Sequence, residues 1–224
     1  MKITVVVSAY RLSEGQIHQF LEWNEVVFKM NDVHVLVVTD REVKLKYGKC
    51  LVYPKKPRHL SLPRLNNYGI KRAEGIVIKS DLDIIFSDKI IKRIKQVVQN
   101  NYAFIGICAN IDQCSEIQEK PWEDLPKRFW GWGACFAMTR HDWGMLHGYN
   151  EKIWGWGDDD HDMFRRVQDK LCLSLCSYYP LFHMNHKQRK SVEPDSFFPI
   201  RKDENSKLVW TDWHEEEWGE GKYD

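Results

Sequence analysis

Apolar residues run almost unbroken through Ile3-Thr4-Val5-Val6-Val7 and again from Val33 to Thr39, and between them Ile17, Phe20, Leu21, Val27 and Phe28 recur at helical spacing. Short continuous apolar runs describe strands buried on both faces, whereas recurrence at three and four residues describes a helix with one apolar stripe. The pattern therefore predicts a strand over 3–8, a helix over 14–30 and a strand over 33–39. Such a β-α-β start implies parallel strands, which need a crossover, with helices covering the faces of the sheet. Further on, the chain predicts a strand over 50–53, a helix over 63–75 with proline at its start and glycine at its end, and a strand over 76–80. An amphipathic helix over 87–99 and a strand over 102–108 follow. Residues 110–128 are polar, aperiodic and interrupted by Pro121 and Pro126, the signature of a long functional loop. Beyond it come a strand over 134–139, a short helix over 142–146, a helix starting near Asp158 and a strand over 171–178. The fold class is α/β, with a mostly parallel central sheet flanked by helices.

Composition narrows the class of function. The 224 residues, 43% of them hydrophobic, can bury one substantial core, and a net charge of +1 gives no electrostatic case for general nucleic-acid binding or an anionic membrane. No stretch approaches the ~18 apolar residues of a membrane span. Met1-Lys2 leads straight into the first strand without a cleavable leader, and six scattered cysteines read as reduced core thiols, so the expected location is cytoplasmic. Cys172 and Cys176 lack the second Cys/His pair that a zinc finger requires.

The densest chemistry lies in Trp154-Gly155-Trp156-Gly157-Asp158-Asp159-Asp160-His161-Asp162. Clustered aspartates repel one another unless a cation, a helix N-terminus or a substrate compensates them. With Met163, Phe164, Val167 and Leu171 forming the apolar stripe, Asp159 and Asp160 project inward from the first helical turn. Asp158 is placed to cap that turn, and Asp162 is placed outward as a solvated i,i+4 partner of Arg166. An inward carboxylate beside an indole suits a general base facing a sugar hydroxyl, with Trp154 and Trp156 as stacking surfaces. Asp81 and Asp83, at i and i+2 after a strand, offer hard oxygens for Mg²⁺ or Mn²⁺ on a diphosphate. His183 and His186 could both face that cation if their turn is helical. Tyr10, Arg11 and Asp40 follow the first two strands, where sheets of this kind bind nucleotides. Gly133 permits close backbone approach, and the basic segment with Lys187 and Arg189 can close over a diphosphate. The tail, 203–224, carries eight Asp/Glu against two Lys, with Trp210, Trp213 and Trp218 placed to dock it on the domain or on a partner.

Asp81-x-Asp83, the glycine-rich 131–133, W-G-W-G with its acidic cluster, and His183-x-x-His186 occur in an order that resembles the GT-A fold glycosyltransferases, specifically the β-1,4-galactosyltransferase family. The N-terminal half, with Arg64 and Asn67-x-Gly69 in the helix before Asp81, is more similar to family 2 glycosyltransferases. The resemblance implies a single GT-A domain over about 1–200, with a nucleotide-sugar half to about 108, an acceptor half beyond it, and a separate tail over 201–224. It implies Asp83 and His186 as metal ligands, with His183 at a position where the family has methionine. Asp81 becomes the nucleotide-side partner, and Tyr10, Arg11, Asp40, Arg64, Asn67, Gly133, Lys187 and Arg189 the donor-binding set. Asp160 falls on the catalytic base, with Asp159, Trp156 and Trp154 on the acceptor side. Asp158 stands where the family has glycine, Asp159 shortens a glutamate, and His161 replaces an aspartate.

The expected activity is transfer of a hexose (galactose, N-acetylgalactosamine or glucose) from a UDP-sugar to a hydroxyl acceptor, glycan or glycoconjugate, with Mn²⁺ or Mg²⁺ and inversion. Two alternatives use the same residues. A metal-dependent hydrolase would release sugar without an acceptor, and a non-catalytic carbohydrate-binding protein would bind glycan without UDP or metal.

Overall fold

A computed structural model describes the chain except residues 57–58, 116, 118–123, 126, 129–132, 156, 177–180, 186–200, 210–216 and 222–224; for 127–128 and 173–176 it describes the backbone. The first half alternates β1 (Ile3–Ser8), α1 (Glu14–Met30), β2 (Val33–Thr39), β3 (Lys49–Val52), α2 (Leu62–Lys71) and β4 (Ile76–Ser80). Then follow β5 (Ile84–Phe86), α3 (Asp88–Gln99), β6 (Tyr102–Gly106), β7 (Cys108–Ile111), β8 (Lys127–Arg128), β9 (Cys135–Thr139), α4 (Arg140–Met145), α5 (Asp159–Lys170), β10 (Cys172–Cys176), β11 (Leu181–Met184) and the short α6 (Lys202–Asn205).

The main sheet has seven strands in the order β10-β6-β9-β4-β1-β2-β3. All its pairings are parallel except those of β9, which runs antiparallel between β4 and β6. β1 is central, which explains its unbroken apolar run: Val5 and Val7 join one buried cluster and Val6 the other. On the first face pack α1 (Ile17, Phe20, Leu21, Phe28) and α3 (Ile90, Ile91, Ile94). On the second pack α2 (Leu65, Ile70), α4 (Trp143) and α5 (Met163, Phe164, Val167). α1 begins at a capping box in which Ser13 and Gln16 exchange side-chain bonds with each other's backbone N–H.

A four-stranded sheet, β5-β11-β7-β8, departs from the sequence expectation. The strand expected over 102–108 divides at Ile107 into β6, in the main sheet, and β7, in the small one. Residues 181–184 form a strand where a turn was expected. Asn24 of α1 anchors β5, donating to Ile84 O (3.0 Å) and accepting from Phe86 N (2.8 Å), so the Asp81–Asp83 turn is held from behind.

Part of the tail is built into the domain. Trp218 is buried, Gly219 N donates to Glu151 Oε1 (2.7 Å), and Arg72 donates to Gly219 O (2.9 Å). Trp210 and Trp213 lie outside the described residues. Among those described, no helix is long and apolar enough to cross a membrane, and Cys50, Cys108, Cys114, Cys135 and Cys172 are free thiols.

Candidate active site

β4 delivers its aspartates at the carboxyl edge of the sheet, but the residue that organises them is Lys79, inside the strand. Its side chain is buried, and Nζ donates to Asp81 Oδ1 (2.8 Å) and to Gly133 O (2.6 Å), with Asp160 Oδ1 at 4.0 Å. Burial alone would lower the Lys79 ammonium's pKa, but the carboxylates of Asp81 and Asp160 hold it well above the usual lysine value. Sequence reasoning passed over Lys79 as one more strand residue. The signal was there, because a lysine inside a strand apolar on both faces needs a buried anion.

Asp159 and Asp160 open α5, as the apolar stripe predicted. Asp160 lies so close to Gly133 that a Cβ on that glycine would overlap its carboxylate; the need for glycine there is steric. Asp160 Oδ1 is buried and has no hydrogen-bond partner among the described residues, and the same holds for the hydroxyl of the fully buried Tyr149. Asp159 is pushed up to about 8, by burial first and then by the Asp160 charge. Burial and the neighbouring Asp83 and Asp160 likewise raise Asp81, against the pull of Lys79. The site gathers more negative charge than Lys79 balances.

Two neighbouring aspartates differ from expectation. Asp158 occupies the N-cap position without a side-chain cap bond; its backbone is left-handed (φ 64°), and its carboxylate lies 3.6 Å from His161 Nδ1. That φ explains how aspartate stands where the resemblance has glycine, since Asp tolerates the left-handed region better than most residues. Asp162 is not solvated. It is fully buried and accepts from Arg166 Nε (2.9 Å) and Nη2 (2.7 Å), while Arg166 Nη1 donates to Leu146 O and Gly148 O (both 2.8 Å). The i,i+4 pairing stands, but it lies at the border of the buried stripe and ties α5 to the segment after α4.

Asp83 and His183 meet, with 3.3 Å between Oδ2 and Nε2. His183 is buried on β11, and Met184 N donates to Asp83 O (2.8 Å), so strand pairing rather than a helical turn brings them together. Among the described residues no three His, Cys, Asp or Glu gather as a metal cage. His186, Lys187 and Arg189 lie outside the described residues, as does Trp156.

At the ends of β1 and β2, Arg11 (φ 58°) donates its backbone N–H to Asp40 Oδ1 (3.0 Å), which also pairs with Arg41 (3.0 Å). The Tyr10 hydroxyl donates to Lys55 O (3.3 Å), and burial with the Asp40 charge raises its pKa. These three therefore share the carboxyl edge of the sheet, as expected. Asn67 does not serve a donor: it is fully buried, accepting from Tyr149 N (2.7 Å) and donating to Tyr149 O and Glu151 Oε1 (both 2.8 Å). It clamps the loop that leads to W-G-W-G. Arg64 Nε donates to Glu151 O (3.1 Å) and braces the same loop. The Trp154 ring stacks on His59 (4.6 Å between centroids) and lies 3.8 Å from the Arg201 guanidinium. These two side chains pack against a ring that remains part-exposed.

Residues 127–187, which include the W-G-W-G and acidic segment, match the N-terminal domain of galactosyltransferase. No curated protein sequence matches the chain. A crystal structure of Drosophila β1,4-galactosyltransferase 7 in complex with manganese, UDP-Gal and xylobiose superimposes with a TM-score of 0.61, at 12% identity over 96% of this chain and 82% of that one. The chain has the GT-A glycosyltransferase fold. Two further GT-A structures agree. A Pyrobaculum calidifontis mannosyltransferase in complex with GDP-Man and Mn²⁺ gives 0.58, at 14% identity over 84% of this chain and 58% of its own. S. aureus TarS 1-349 in complex with UDP-GlcNAc gives 0.55, at 12% identity over 84% and 60%. In this GT-A domain the aspartates of the turn after β4 and those opening α5 face one another across Lys79 and Gly133.

Proposed function

We propose that the protein is a metal-dependent hexosyltransferase that moves galactose, N-acetylgalactosamine or glucose from a UDP-sugar to a hydroxyl of a glycan or glycoconjugate, with inversion. The observation that carries the reading is the convergence of Asp160 with Asp81 on the buried Lys79 ammonium. It supports reading Asp160 as a base that works opposite the aspartates of a donor site. The galactosyltransferase match and the nucleotide-sugar complexes of the structural neighbours support the same donor chemistry.

In this reading Asp160 accepts the acceptor's proton as its oxygen bonds to the anomeric carbon, while the bond from that carbon to the diphosphate oxygen breaks and UDP leaves. Lys79 and Gly133 fix Asp160 in place. Asp159, held protonated near neutrality, is available as a hydrogen-bond donor to the acceptor. Tyr10, Arg11 and Asp40 line the nucleoside end, and Lys187 and Arg189 supply positive charge to the diphosphate. The residues present suit a divalent cation: a carboxylate oxygen and an imidazole nitrogen lie side by side within an excess of negative charge. Asp83, His183 and His186 would hold Mn²⁺ or Mg²⁺, which when bound stabilises the charge on the departing diphosphate.

Asp160→Asn keeps the shape of the side chain and removes its basicity. Transfer from UDP-sugars should fall by about 10²- to 10⁴-fold with UDP affinity nearly unchanged. Loss of UDP binding in that variant counts against Asp160 as the base.

A further inference from the structure

The small sheet has two unlike faces. Phe182, Ile85, Ala109 and Ile111 close over one side, whereas Leu181, Ile84, Phe86 and Cys108 point into the main core. Since side chains alternate along strands, the next residues on that core-facing side are His183 of β11 and Asn110 of β7. They are register partners in a parallel pair, about 5 Å apart between backbones. His183 in turn reaches Asp83, in the turn just before β5, through Nε2 and Oδ2 at 3.3 Å. His183 and Asn110 thus form a row across two adjacent strands, and the Asp83 carboxylate reaches the same imidazole from the turn before β5.

Asn110 is the anomaly in that row. Its Oδ1 is buried and has no hydrogen-bond partner among the described residues. An unpaired buried carbonyl oxygen is costly, and a native protein retains one where a water, an ion or a function answers it. A carboxamide oxygen is a hard, neutral donor of the kind Mn²⁺ and Mg²⁺ accept beside carboxylate and imidazole. It also adds no negative charge to a site already crowded with aspartates.

We infer that Asn110 is a further oxygen ligand of the divalent cation held by Asp83 and His183. The inference rests on the metal-dependent reading above. It assigns a role to a residue outside every motif of the sequence, and it accounts for a cation site to which the described acidic and imidazole side chains contribute only a pair.

The test measures Mn²⁺ binding directly, independent of any acceptor. Free Mn²⁺ is followed by electron paramagnetic resonance while the full chain is titrated, with and without saturating UDP, for wild type, Asp83→Ala, Asn110→Ala and Asn110→Asp. The inference expects Asn110→Ala to weaken Mn²⁺ binding about tenfold or more, and Asn110→Asp, which keeps an oxygen at that place, to bind at least as tightly as wild type. Asn110→Ala binding like wild type while Asp83→Ala does not would overturn the role of Asn110 and leave the metal-dependent reading intact. Wild type that binds no Mn²⁺ under either condition overturns that reading and the inference together. Should Asn110→Ala fail to fold, Asn110→Asp decides: weakened Mn²⁺ binding by a well-folded Asn110→Asp variant also overturns the inference.

Discussion

The Lys79 ammonium lies 4.0 Å from the Asp160 carboxylate and donates to Asp81 at 2.8 Å, so one buried cation joins the two acidic segments of the site. Lys79→Met keeps the length of the side chain and removes the charge. Its partners are part-exposed, so the loss of folding stability should be on the order of 1–3 kcal/mol, not the larger penalty of a fully buried pair. Urea denaturation measures it. A variant as stable as wild type would show that the ammonium balances nothing.

The Asp162–Arg166 pair is a different case, because both side chains are buried. Arg166→Met removes the charged partner of the buried Asp162 carboxylate and should cost about 3–5 kcal/mol in chemical denaturation. Asp162→Asn combined with Arg166→Met should recover part of that loss. A cost below about 1 kcal/mol for the single substitution would contradict the buried geometry.

Asp159 makes stability depend on pH. Its folded-state value is raised from 3.8 to about 8, so the folded state favours the protonated carboxyl. That preference is fully present below 3.8 and is lost as pH rises through about 8. Asp159→Asn cannot ionise. Its Tm should therefore exceed that of wild type by a margin that grows across this window and levels off above it. A margin independent of pH would show that the carboxyl titrates normally.

What the sequence disclosed depended on the range of each signal. β1, β2, α1 and β4 were legible because a long apolar run or stripe records burial directly, and Asp159 and Asp160 inherited their inward direction from Met163, Phe164 and Val167. The small sheet was not legible, because strands of two to four residues such as β8 and β11 carry too few positions to show a period. His183 was therefore read as part of a turn. Lys79, Asn67 and Asp162 depend on partners brought near by folding. Asn67 acts on Tyr149 and Glu151, more than eighty residues away. Asp162 has its partner one turn on, but whether that pair faces water is decided by Leu146 and Gly148, whose carbonyls Arg166 reaches.

The metal-dependent reading requires a UDP-sugar site completed by a divalent cation at Asp83. Calorimetric titration with UDP, first with Mn²⁺ and then with EDTA, on wild type and on Asp83→Ala, tests it most directly. Heat of binding is expected only for wild type with Mn²⁺, with its loss on chelation or on substitution of Asp83. No UDP binding by wild type with Mn²⁺ present would contradict it, as would binding indifferent to both the ion and Asp83.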